Sequence, residues 1–152
     1  MIYPATKDYI ERASSLLDSG NIIIYPTDTL YGFGVDATST NAIQKLNHLK
    51  GRMQPLSIIL ERISDIPKYA VTSDEVMIKL KKILPGPFTI LLPLKKTELS
   101  PLVSHQSSLI GIRVPKHFFP IQLAQSFNKP IITTSINFHG KIIIVTTLSS
   151  QY

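Results

Sequence analysis

The stretch Tyr25-Pro26-Thr27-Asp28-Thr29-Leu30-Tyr31-Gly32-Phe33-Gly34-Val35-Asp36-Ala37 decides how the rest of this chain is read. It follows Ile22-Ile23-Ile24, a β-branched run that predicts a buried strand. Pro26 removes a backbone donor, so the ladder is expected to end there. Beyond it come two threonine hydroxyls, a carboxylate and two glycines, which permit the backbone conformations of a tight ligand loop. In an α/β sheet, a strand end that hands over to such a loop is the usual place for a binding site. The plain alternative is a turn with incidental polar residues.

Outward from this stretch, helices and strands are interspersed, which points to an α/β domain. On the N-terminal side, Thr6 is a candidate cap for a helix to about Ser19, with Ile10, Ala13 and Leu17 on one face and Gly20 ending it. On the C-terminal side, Ser39 or Thr40 starts a second helix with Ala42, Leu46 and Leu49 inward, closed by Gly51. Leu56 to Leu60 reads as a strand. Thr72 and Glu75 have capping-box spacing before a helix that carries Val76, Leu80, Ile83 and Leu84 inward. Its lysines, Lys79, Lys81 and Lys82, read as a solvated face. Pro85-Gly86-Pro87 predicts a turn. Strands are predicted over Phe88 to Leu94, Leu109 to Val114, Ile131 to Thr134 and Lys141 to Thr147, and a helix over Phe118 to Phe127. No repeat, low-complexity tract or linker interrupts residues 1–152, so one domain is expected.

Composition narrows the function classes. The 152 residues are 43% hydrophobic and 17% charged, a globular balance. A formal charge of +6 and a pI near 9.6 favour an anionic partner, although a merely soluble basic protein has the same balance. The sequence has no cysteine, which excludes disulfides, thiolate metal sites and a cysteine nucleophile within it. No run approaches the roughly 18 apolar residues of a membrane span. No signal-peptide core stands at the N-terminus. The expectation is a soluble cytoplasmic protein. His48, His105, His117 and His139 lack metal-ligand spacing.

Five segments together carry a resemblance. Tyr25 to Ala37 resembles the first motif of the YrdC family. Lys50-Gly51-Arg52 resembles its K-x-R element, and Pro85-Gly86-Pro87-Phe88-Thr89 its PGP-aromatic-Thr turn. Gly111-Ile112-Arg113-Val114-Pro115 resembles the strand that presents its substrate arginine, and Ser135-Ile136-Asn137 its S-x-N element. They occur in the family's order across residues 25–137. The resemblance implies a YrdC-like twisted mixed β-sheet with helices packed on it. It also implies an enzyme that joins L-threonine, bicarbonate and ATP into threonylcarbamoyl-AMP and pyrophosphate for tRNA modification.

By this resemblance, Lys50 and Arg52 are the catalytic and nucleotide-binding cations, holding triphosphate oxygens. Both residue types stay cationic, and arginine can grip two oxygens. Thr27, Thr29 and Arg113 would bind threonine, with Arg113 on its carboxylate. Ser135 and Asn137 would hydrogen-bond near the nucleotide. Magnesium would come with ATP, bound mainly by phosphates. The plainer readings are surface charges after a helix for Lys50 and Arg52, a structural ion pair for Arg113, and a capped turn for Ser135 and Asn137.

The sequence also departs from the family. Arg52-Met53-Gln54-Pro55-Leu56 lacks two residues of the usual linker, with Gln54 in a Lys or Asn position. Ile136 replaces a usual alanine and either narrows the pocket or packs inward. Residues 138–152 diverge, with His139 where serine is usual, and the family's closing Ser-Thr-Val element is missing. Two accounts stand: a natural short form that covers exposed surface by forming a homo-oligomer, or a truncated or frameshifted gene. Two non-catalytic functions compete with synthesis: a double-stranded RNA or tRNA-binding module, and a threonine- or nucleotide-binding module without turnover. RNA-recognition and KH motifs are absent from the sequence.

Overall fold

The computed structural model describes residues 3–136. Its centre is a six-stranded mixed sheet in the order β1-β2-β6-β3-β5-β4. The strands are β1 (Ile23–Tyr25), β2 (Gly32–Gly34), β3 (Ser57–Ile59), β4 (Ile90–Pro93), β5 (Leu109–Arg113) and β6 (Ile131–Ser135). Only β3 and β5 run parallel; the other neighbours are antiparallel. Five helices pack against the sheet: α1 (Ile10–Asp18), α2 (Thr40–Lys50), α3 (Ile66–Tyr69), α4 (Asp74–Ile83) and α5 (Phe118–Phe127). This is the α/β arrangement expected from the alternation of elements.

Strand alternation sorts the core into two clusters, because successive side chains point to opposite faces. Ile58, Ile110, Ile112 and Ile132 join one, with Ala42, Ile43 and Leu46 of α2 and Leu80 of α4. Ile23, Tyr25, Ile59 and Ile131 join the other, with Leu17 of α1 and Leu123 and Phe127 of α5. Register enforces the division: Ile58 stands opposite Ile132 and beside Ile112, whereas Ile59 stands opposite Ile131.

Local chemistry explains the boundaries. Ser39 caps α2 by accepting from the Ala42 amide at 3.3 Å, which settles the choice between Ser39 and Thr40. Gly51 ends α2 at φ +63°, a left-handed conformation that favours glycine. Helix α5 has the bounds expected of it, and His117 caps it by accepting the Phe119 amide on Nδ1.

Several expectations need correction. Thr6 makes no side-chain cap; it precedes a 3-10 turn, Lys7–Tyr9, from which α1 continues. The cap of α4 is Ser73, not Thr72, and it accepts from the Val76 amide. Leu49 and Ile83 are exposed rather than inward. On α2 the buried face is centred on Ala42, Ile43, Leu46, Asn47 and Lys50, so Leu49 falls on its rim. The run at β1 is not buried on both faces: β1 is an edge strand, and Ile24 is 56% exposed. Strand β4 is shorter than Phe88 to Leu94. The 3-10 turn Ile63–Asp65 and the short α3 were not anticipated. The strand predicted over Lys141 to Thr147 lies outside the described residues.

The largest difference lies in the opening motif. The loop expected at the strand end is present, but it is the turn of a β-hairpin whose second strand, β2, was not anticipated. Tyr25 pairs with Gly32 and Ile23 with Gly34, and Pro26 to Tyr31 form the connection. Gly34 is required by contact: a Cβ there would sit 2.6 Å from Tyr25 Cε1. The tyrosine ring lies across β2 where a side chain would otherwise stand.

Candidate functional site

The face that α1 and α5 cover is apolar on one side and hydroxyl-rich on the other. Continuing the register from Ile59 and Ile131 brings Ser57 opposite Thr133 and beside Gly111. A hollow of about 210 Å³ opens there, lined by Gln54, Ser57, Thr89, Arg113, Thr133 and Ser135 among others. Gly111 keeps it open, since a Cβ there would meet Ser57 Oγ at 2.5 Å. The site therefore lies on the face of a mixed sheet, not in a crevice beyond parallel strand ends.

Arg113 closes β5 and reaches the hairpin loop. Its Nη2 donates to Asp28 Oδ1 at 2.6 Å and to Thr29 Oγ1 at 3.2 Å. Asp28 Oδ2 accepts the Lys116 amide at 2.9 Å, so one carboxylate ties the loop to the segment after β5. Both members of the pair are largely buried, with side chains 14% and 8% exposed. Arg113 Nε is buried with no hydrogen-bond partner. Thr27 Oγ1 lies 3.1 Å from Thr29 Oγ1, and Thr27 donates to the Leu30 carbonyl at 2.7 Å. The ion pair anticipated as the plain reading of Arg113 is thus present, with Asp28 as the acid. It leaves other guanidinium donors for a ligand.

Lys50 is only 6% exposed. Its Nζ donates to Thr134 Oγ1 at 3.2 Å and to the Ser135 carbonyl, and lies 5.6 Å from the centre of the Phe33 ring. The ammonium is thereby fixed at the C-terminal end of β6, beside two residues of the hollow. Burial lowers its pKa to about 8, and the nearby Arg52 cation lowers it further within that shift. Arg52 itself lines a neighbouring hollow of about 510 Å³, with Asn47, His48 and Met53, and its Nε is buried without a partner. Lys50, Arg52 and Arg113 make this side of the molecule receptive to anions.

Of the residues expected at the site, Arg113 and Ser135 line the hollow. Thr29 touches Arg113, Thr27 supports Thr29, Lys50 borders the hollow, and Arg52 stands beside the neighbouring one. Asn137 lies outside the described residues. Ile136 packs into the main core, which answers the question of its size. Sequence reasoning did not single out Ser57, Thr133 or Thr134, and it quoted Asp28 and Thr89 within motifs without giving either a role. For Ser57, Thr133 and Thr134 the available signal was hydroxyl residues at strand positions close to buried isoleucines, which is informative only once register is known. Gln54, noted as a departure from the family, stands at the hollow.

A mixed sheet with helices on it and a hydroxyl-lined hollow beside buried cations defines an α/β protein with a polar, electropositive pocket on its sheet face. The sequence profile of the Sua5/YciO/YrdC family, described as telomere recombination, matches residues 15–150, and the chain belongs to that family. It is 37% identical over 135 residues to a human threonylcarbamoyl-AMP synthase, covering 87% of this chain and 47% of that protein. A threonylcarbamoyl-AMP synthase of Photobacterium profundum is 35% identical, with 88% and 74% covered. The chain spans about half the length of the first of these relatives. A P. abyssi Sua5 structure in complex with L-threonine superposes with a TM-score of 0.81 at 26% identity, covering 88% of this chain and 40% of that one. Among the described residues, no helix is long and apolar enough to cross a membrane.

Proposed function

We propose that this chain binds L-threonine and ATP at the hydroxyl-lined hollow. With bicarbonate it forms threonylcarbamoyl-AMP, the activated group for threonylcarbamoylation of tRNA. The observation that carries this reading is Arg113, a largely buried guanidinium whose Nε has no partner, in a hollow lined by hydroxyls from β3, β6 and the residue before β4. A carboxylate is the natural partner for such a group. The family relatives named above, and the threonine complex of the P. abyssi protein, support the choice of substrate.

The chemistry divides into two steps. The threonine amine attacks carbon dioxide derived from bicarbonate and loses a proton to give a carbamate. A carbamate oxygen then attacks the α-phosphorus of ATP, the bond to the β-phosphate oxygen breaks, and pyrophosphate leaves. Positive charge is needed where the pyrophosphate charge develops. Lys50 supplies it at the border of the hollow, and Arg52 adds to the local potential. Thr29 orients the threonine-binding side by holding Arg113, and Thr27 by holding Thr29, while Ser135 and Asn137 are assigned to the nucleotide. Magnesium enters with the nucleotide and is held chiefly by phosphate oxygens. The donors here fit that division: hydroxyls, amides and cations predominate, and Asp28 is already engaged by Arg113 and the Lys116 amide.

The test is incubation with ATP, L-threonine and bicarbonate, following pyrophosphate release and product mass. Threonine-dependent product that disappears in Lys50→Ala supports the synthase reading. Threonine binding without product would make this chain a binding module, and tRNA binding insensitive to ATP and threonine would favour an RNA-binding role.

A further inference from the structure

Tyr25 is 1% exposed, yet its hydroxyl has no hydrogen-bond partner. A buried donor left in that state is costly, and native structures rarely keep one without use. The ring cannot be regarded as loosely placed, because it rests against the bare backbone of Gly34, within 2.6 Å of where a Cβ would be. Burial pushes the phenol's pKa up, which keeps it a neutral donor. Thr133 and Arg113 are the groups that act on it in the opposite sense. Thr133 is near enough to exert that effect but falls short of hydrogen-bonding geometry. Thr133 lines the hollow, as does Arg113, whose Nε is the second buried donor without a partner. Two buried donors without partners thus belong to this region: Tyr25, next to Thr133 of the hollow's wall, and Arg113, which lines the hollow itself.

A threonine hydroxyl has one proton to give and two lone pairs to receive with. We propose that Tyr25 is a positioning residue: its hydroxyl donates to Thr133 Oγ1 and so directs the Thr133 proton onto an oxygen of the bound ligand. Each bond in such a chain strengthens the next. A ligand oxygen that takes the Thr133 proton fixes the rotation of that hydroxyl and turns a lone pair toward Tyr25. The role rests on the hollow being the ligand site, and it concerns carboxylate or phosphate oxygens, the acceptors that hydroxyls and a guanidinium recognise.

The experiment is a double-mutant cycle of Tyr25→Phe and Thr133→Val. Each protein is titrated calorimetrically with L-threonine and, separately, with pyrophosphate, and its melting temperature is recorded. Tyr25→Phe is expected to weaken binding of one probe about three- to tenfold, the worth of one neutral hydrogen bond. It should not lower the melting temperature, since no bond is lost without ligand. On the Thr133→Val background, Tyr25→Phe should cost nothing further. The proposal is overturned if Tyr25→Phe binds as tightly as the native protein, or if its loss persists in full without Thr133. A native protein that binds pyrophosphate but not threonine, with the same cycle, would sink the threonine assignment and leave the role of Tyr25 standing. A native protein that binds neither probe would overturn both.

Discussion

Asp28 and Arg113 lie 85 residues apart in the chain and are joined by a 2.6 Å bond between carboxylate and guanidinium. The bond fastens the β1–β2 hairpin loop to the end of β5 and aims the guanidinium at the hollow. It also means that a ligand carboxylate must share Arg113 with a resident one. The site therefore favours ligands that bring further contacts to the surrounding hydroxyls.

Removing one member of this pair should be expensive, because the other charge stays buried. Asp28→Ala is expected to destabilise the protein by about 3 kcal/mol in urea unfolding. Asp28→Asn should retain part of this by still accepting the Lys116 amide. A loss under about 1 kcal/mol for Asp28→Ala would place the pair with ordinary surface bridges.

Lys50 should make anion binding depend on pH. Its ammonium is present below about pH 8 and is lost above it, so pyrophosphate affinity should fall as pH rises through that value. An anion favours the charged form, so binding near that pH should draw in a proton. Calorimetry in two buffers of different ionisation enthalpy measures the uptake, and Lys50→Gln should abolish it.

The same group affects stability with a definite sign. Its folded pKa, about 8, lies below the ordinary 10.5, so between these values the unfolded chain binds more protons. The unfavourable contribution of Lys50 is complete below that window and is relieved as pH rises across it. The stability of Lys50→Gln, followed by urea unfolding across the window, should lack this rising component.

Gly34→Ala and Gly51→Ala should both destabilise, for different reasons. At Gly34 the new Cβ strikes the Tyr25 ring, an overpacking cost of about 1–3 kcal/mol. At Gly51 there is open space, but φ is +63°, and the left-handed backbone costs about 1–2 kcal/mol. Combination with Tyr25→Leu, read by thermal unfolding, should relieve the first loss and leave the second intact.

Ser73→Ala should cost about 1 kcal/mol of stability by removing the cap of α4. Thr72→Ala should change little, within about 0.5 kcal/mol. Equal losses in denaturant unfolding would mean that the cap is shared.

The amino-acid sequence alone determined the local grammar of this protein. Helix α5 and the end of α2 at Gly51 were legible because caps and breakers act over a few residues. The five family-like segments were legible because residue type and order survive without coordinates, and they brought Lys50, Arg113 and Ser135 to notice. Tertiary structure alone decided that the opening motif folds back as a hairpin, since β2 exists only through its pairing with β1 and β6. It alone set Ser57, Thr133 and Arg113 around one hollow, because strand register fixes which alternate side chains share a face. It chose Asp28 as the partner of Arg113 and buried Lys50. Those outcomes depend on distance through space and on desolvation, neither of which a linear order of residues contains.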